Sequence, residues 1–306
     1  MKNLRSLRTK RLAWSLLSIS SLCLDLQPAF AQTLPGPATI GPVQLSDQPE
    51  IDAGFHLLYE LKFPGARAKF TDWENAHPGE ALGPAAEAAS YLFQEFDRQG
   101  VLTSDFFLDD KRLLGGIEGT PDPNMRSAFE AAIQKSQDLA HARLTSNPDD
   151  ADALFALTIS TGMLADYAGL IEGKQMETLR LTREADSVAR NLLAVSPGAT
   201  DAYVALGAAN YLMGCLPAYK RFIIWFGGYH GDRGLGMHQL GLTAANGHYL
   251  RPYAKLALGL AAMREKQWAL ARTEFEQLTA EFPDNPKFAV ELAKVRANPR
   301  PAASLH

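Results

Sequence analysis

Small, bulky and helix-breaking residues recur along this chain at one fixed spacing. Gly54, Ala66, Phe70, Trp73 and Pro78 reappear as Gly259, Ala271, Phe275, Leu278 and Pro283, with gaps of twelve, four, three and five residues both times. The i, i+4, i+7 series lines one face of a helix. A small residue twelve positions earlier lets a preceding helix cross closely, and the proline ends the unit because it cannot continue a helix. The pattern predicts helix pairs, with one helix over residues 50–61, a turn at residues 63–65, and a second helix running to residue 76.

This spacing resembles the tetratricopeptide repeat, a two-helix unit of about 34 residues. The resemblance implies an all-α fold: a right-handed helical solenoid of about five helix pairs, with insertions and a C-terminal capping helix. In that family the next close-contact residue falls ten positions after the closing proline. Here that rule selects Ala88, Thr158, Gly207 and Ala293, and all four are small. The units fall at about 47–80, 81–150, 151–199, 200–251 and 252–285, with a cap at 286–297, in a repeat domain over 47–299.

The middle units are expanded. Unit two carries an insertion over residues 97–123, marked by the breakers Gly115, Gly116, Gly119, Pro121 and Pro123. Its helix-B series, Ser136, Ala140 and Arg143, places an arginine where an apolar residue is expected. Unit three runs Thr158, Ala185, Ala189, Leu192, Pro197 without an interrupting proline, which predicts two longer helices. Unit four follows Gly207 with a 19-residue insertion before a helix series His238, Leu242, Ala245, with Asp232 as its N-cap. The latter half is also similar to the tetratricopeptide-repeat 39 / inclusion-body-clearance family. That similarity rests on the Gly-Asp-x-x-Gly-Leu segment from Gly231 and the closing Phe-Pro-x-Asn-Pro from Phe282.

Function follows from the groove that the repeat family uses. Carried over, its ligand-facing positions include Phe55, Tyr59, Phe93, Phe155, Met163, Tyr211, Tyr253, Met263 and Arg264. Family members that clamp an acidic chain terminus use Lys, Asn and Arg there. This surface is apolar and aromatic instead, and something must cover it. Residues 219–229, with Phe222, Trp225 and Phe226, are the natural filler; a contiguous apolar run of this kind reads first as internal core, and as an alternative as a partner-docking or membrane-touching element.

Composition narrows the picture. Hydrophobic residues at 46% and charged ones at 21% belong to a folded globular chain. Lys2, Arg5, Arg8, Lys10 and Arg11 precede an apolar run at residues 12–24, and Ala29-Phe30-Ala31 supplies a cleavage site. Residues 1–31 thus read as a signal peptide, 32–46 as an extended leader and 300–306 as a disordered tail, in an exported protein, periplasmic or secreted. The apolar run is too short to span a bilayer, and no other stretch is expected to qualify. Removing 1–31 takes away five basic side chains and one acidic, leaving 25 basic against 33 acidic, a net charge of −8. That balance argues against nucleic acid as a partner.

Little in the sequence points to chemistry. One thiol, Cys215, remains after cleavage, and His230, His238 and His248 lack metal-ligand spacing. The glycine-rich segment 227–236 lacks the lysine and the third glycine of phosphate-binding loops, and no Gly-x-Ser-x-Gly occurs. Acidic residues read as solvated helix positions. The expectation is a non-catalytic protein with no cofactor or metal, in one of two forms. The first is an exported scaffold that binds a protein or peptide in its groove. The second is a transport-associated, ligand-handling protein that encloses a small apolar molecule.

Overall fold

The computed structural model describes residues 49–216 and 231–298, and among them every regular element is helical. The signal-peptide, leader and tail segments, and Phe222, Trp225 and Phe226, lie outside the described residues. The first pair is α1 (Pro49–Tyr59) and α2 (Phe63–Ala76); α3 (Leu82–Gln99) follows. Two short helices, α4 (Ser104–Phe107) and α5 (Asp110–Gly115), precede α6 (Pro123–Ser146). Next come α7 (Ala151–Asp166), extended by a π turn at Tyr167–Ile171, then α8 (Gln175–Val195) and α9 (Tyr203–Cys215). The described chain ends with α10 (Arg233–Asn246), α11 (Arg251–Arg264), α12 (Trp268–Glu281) and α13 (Pro286–Ala297).

Apart from α4 and α5, each helix packs on its successor, and α1, α3, α7 and α9 also touch in an inner row. The pairs cross where the spacing placed small residues. A Cβ on Gly54 would overlap the Phe70 ring, and one on Gly259 would lie 3.0 Å from the Phe275 ring. Phe70, Ala66, Phe275, Ala271 and Leu278 are all fully buried. The turns inside the first and last pairs also match. Leu61 and Lys266 both adopt positive φ, 63° and 59°, seven residues after the crossing glycine. The following N–H then reaches back to the carbonyl of Leu57 or Ala262.

Several expectations shift. Phe63, Pro64 and Gly65 open α2 rather than forming the turn; proline is favoured at a helix start because its missing N–H has no partner there anyway. In α10 the buried series is Gly236, Leu240 and Thr243, while His238 and Ala245 are exposed. The spacing of four and three survives, two residues earlier than predicted. Close approach decides it: a Cβ on Gly207 would lie 2.9 Å from Leu240, and one on Gly236 2.5 Å from the Tyr211 amide nitrogen. Ala293 is exposed, and among the described residues no helix follows the cap to cover it.

Other expectations hold. Both helices of the third pair are long, and Asp232 Oδ1 caps α10 by accepting the Leu235 N–H at 2.9 Å. Arg143, the misplaced cation, bonds Asp150 at 2.9 Å and also Glu80, so it ties the turn before α3 to the turn before α7. One stretch beyond the N-terminus, Ala151–Ile171, is in fact long and apolar enough to cross a membrane. It is mostly buried inside the fold, between α3, α6, α8 and α9. A helix surrounded by others needs apolar residues on every side.

The array also closes on itself. Tyr59 donates its hydroxyl to the Tyr249 carbonyl at 2.9 Å, and Asn285 Nδ2 donates to the Tyr59 carbonyl at 2.8 Å. Phe55 packs on Tyr249 with ring centroids 4.8 Å apart, and Lys62 pairs with Asp284 at 2.6 Å. The first helix therefore rests on the turns that follow α10 and α12.

Candidate functional site: an apolar cavity within the helix array

Closure turns the inner row into the wall of a cavity of about 410 Å³. Phe55 and Tyr59 come from α1, Phe93 from α3, Ile159, Met163 and Asp166 from α7, Val204 and Leu212 from α9, and Tyr253 from α11. α8 adds Thr178, Leu179 and Thr182, and α5 adds Leu113 and Leu114. On α1, α3, α7, α8 and α9 the lining residues recur at helical spacing, which is why one face of each lines the space.

Five of the nine predicted groove residues line this cavity: Phe55, Tyr59, Phe93, Met163 and Tyr253. Tyr59, Phe93 and Tyr253 form a continuous aromatic wall, with centroids 5.9 Å and 5.5 Å apart in successive edge-on contacts. The other four do not line it. Phe155 is buried in the core beside Tyr249, at 6.0 Å. Met263 is likewise buried. Tyr211 and Arg264 are taken up by the 97–123 insertion. Tyr211 stacks on Phe107 at 6.2 Å, and Arg264 donates to the Phe107 carbonyl at 2.9 Å and pairs with Asp110.

That insertion folds back over the inner face. Phe106 and Phe107 are buried, and Lys294 of α13 reaches Ser104 and Asp105, at 3.1 and 3.0 Å. On the opposite side Gln175 donates to the Leu114 carbonyl at 2.8 Å. Gly116 and Gly173, both at positive φ, bring two backbones together: a Cβ on Gly116 would lie 2.8 Å from the Gly173 nitrogen. The sequence identified the breakers of this segment. It did not identify the segment as the cover of the groove.

The polar groups on the wall fall into two kinds. Most are already engaged. Asp201 accepts the N–H groups of His248, Tyr249 and Leu250 at 2.9, 3.0 and 3.3 Å, so its carboxylate fixes the turn before α11. Burial nonetheless pushes its pKa up, with those three donors opposing. The hydroxyls of Thr158 and Thr178 bond carbonyls of their own helices at 2.8 and 2.9 Å. Tyr59 is engaged by Tyr249, and burial raises its pKa.

Asp166 differs. It receives one hydrogen bond, from the Tyr253 hydroxyl to Oδ2 at 3.2 Å. Burial pushes its pKa up from 3.8 to about 7, opposed only by that hydrogen bond. Tyr253 in turn is raised by burial first and by the adjacent Asp166 charge second. Asp166 therefore corrects the expectation that acidic residues sit at solvated positions, as do the buried Glu95, Glu274 and Glu291. Its signal was present in the sequence as a lone carboxylate, besides Asp152 at the helix start, within the apolar run of Ala151–Ile171.

Groups associated with chemistry are dispersed. Among the described residues no group of three or more His, Cys, Asp or Glu side chains is placed to hold a metal. His238 is exposed, and His248 pairs with Asp52 at 3.0 Å. Burial raises the Cys215 thiol, which lowers its thiolate population and its reactivity. No protein-family model, curated protein or solved structure matches this chain.

Proposed function

We propose that this chain is a non-catalytic, exported ligand-handling protein that encloses a small, elongated apolar molecule within a tetratricopeptide-like right-handed solenoid. One observation carries the reading: seven helices converge on a cavity of about 410 Å³ whose wall is dominated by apolar and aromatic side chains. That volume lies in the range of sites that take up small ligands, roughly 300–1,000 Å³. Solenoid geometry is supported by the two matched glycine crossings, the paired left-handed turns and the chain-order packing of the helices. Export is supported by the basic and apolar pattern of residues 1–31.

The peptide-scaffold reading requires an open concave face. Two of its predicted contacts, Tyr211 and Arg264, are engaged by α4 and α5, and two more, Phe155 and Met263, are buried in the core. This favours a small molecule as the principal ligand over a protein or peptide partner. Native mass spectrometry of the protein isolated without detergent tests the choice. The expected result is a retained molecule of a few hundred daltons, displaced when Met163→Trp fills the cavity. Recovery of ligand-free protein that also leaves long-chain alcohols unbound would reject the reading.

A further inference from the structure

Resting on that reading, we propose that the enclosed molecule carries a protonated amine at one end, which ion-pairs with Asp166 while its apolar body lies along the wall of Tyr59, Phe93 and Met163. Asp166 lines the cavity, and among the described residues its Oδ1 has no hydrogen-bond partner. A carboxylate taken out of water is stabilised only by a cation or several donors. The described lining contains neither lysine nor arginine. The single donor, Tyr253, is half-buried and leaves half of the carboxyl unfilled.

Charge complementarity therefore favours one end group. An ammonium supplies the missing positive charge together with up to three N–H donors. A fatty carboxylate would place a second negative charge against Asp166 in a low-dielectric space, where like charges repel strongly. An alcohol offers a donor but no charge. Most competing anchors on the wall are already occupied: Asp201 by three backbone N–H groups, Gln175 by the Leu114 carbonyl, and Thr158 and Thr178 by their own helices; the Thr182 hydroxyl is neutral and offers an end group no charge. The Tyr253 hydroxyl fixes the carboxyl plane, a positioning role for the ion pair.

Matched chains separate the end group from the cavity. Decylamine, decanol and decanoate are titrated calorimetrically, below their aggregation concentrations at pH 8, into the full chain and into Asp166→Asn. The expected order is decylamine at least tenfold tighter than decanol, with decanoate weakest. In Asp166→Asn the amine loses its tenfold advantage, and circular dichroism confirms the fold. Equal binding of decylamine and decanol to the unaltered protein would overturn the amine assignment while leaving the apolar cavity intact, as would an amine preference that survives Asp166→Asn. Failure of all three probes to bind would overturn the cavity reading and this inference with it.

Discussion

The first and fifth helix pairs are regular, while the pairs between them are expanded, and the contrast shows where the chain places packing and where it places a site. In α1–α2 and α11–α12 the crossing glycine, the buried phenylalanine and the left-handed turn residue occupy equivalent positions. These pairs supply a rigid crossing, the contacts that close the array, and Phe55, Tyr59 and Tyr253 of the cavity wall. In the middle, extra residues lengthen α7 and α8 and form α4 and α5; α5, α7 and α8 line the cavity, and α4 packs over Tyr211 beside it.

Mutations can test that division. The largest effects should come from the equivalent rings. Phe70→Ala and Phe275→Ala each remove a fully buried aromatic, with an expected loss of about 3–5 kcal/mol in urea denaturation. A loss below about 1 kcal/mol at either position would show that its crossing does not hold the pair together. Next are the glycines, which should differ despite their equivalence. Gly54→Ala drives a methyl group into the Phe70 ring, and about 2–3 kcal/mol of overpacking is expected. Gly259→Ala meets the Phe275 ring at 3.0 Å, so the helix-propensity gain of alanine offsets much of the strain, leaving a net loss of about 1 kcal/mol or less. Equal losses would mean that the two crossings are equally tight.

Within the expanded region, Asp166 gives an effect of opposite sign. Its folded pKa of about 7 lies above the value of 3.8 for the unfolded chain. Between those values the folded state holds a proton that the unfolded state has released, so stability falls as pH rises through this window and levels off above pH 7. Asp166→Asn should remove that slope and stabilise the ligand-free protein at pH 8 by an amount on the order of 2 kcal/mol, a discounted figure because the carboxyl faces a cavity. An unchanged pH slope in thermal melts would count against a buried carboxyl. The smallest effects concern the insertion. Arg264→Ala should cost about 1–2 kcal/mol, and Asp105→Ala, which breaks one largely exposed pair with Lys294, about 0.5 kcal/mol or less. Hydrogen exchange should rise first in α4 and α5; uniform acceleration along the chain would mean that the insertion is not a separable element.

Much of the architecture was legible because close helix crossings restrict residue size. Gly54, Gly207 and Gly259 announce themselves, as do the capping Asp232 and the uninterrupted third pair. The register of α10 was less legible. His238, Leu242 and Ala245 satisfy the same coarse pattern as Gly236, Leu240 and Thr243, and only the approach of Gly236 to the Tyr211 backbone separates them. The cavity was partly legible: family positions placed Phe55, Tyr59, Phe93, Met163 and Tyr253 on an inner surface. They could not anticipate that Phe107 would cover Tyr211, since that contact joins residues far apart in sequence. Asp166 escaped notice because helical periodicity distinguishes faces only when one side meets water, and α7 is enclosed on most sides.

The hydrogen bonds joining Tyr59 to Tyr249 and Asn285 have a thermodynamic consequence. Linear helix arrays fray from their free ends, because a terminal unit has only one neighbour. Here the outermost pairs are each other's neighbours, so peeling away α13 also strips contacts from α1. Melting of such a ring lacks an inexpensive starting point, and shortening it at one extremity weakens the other.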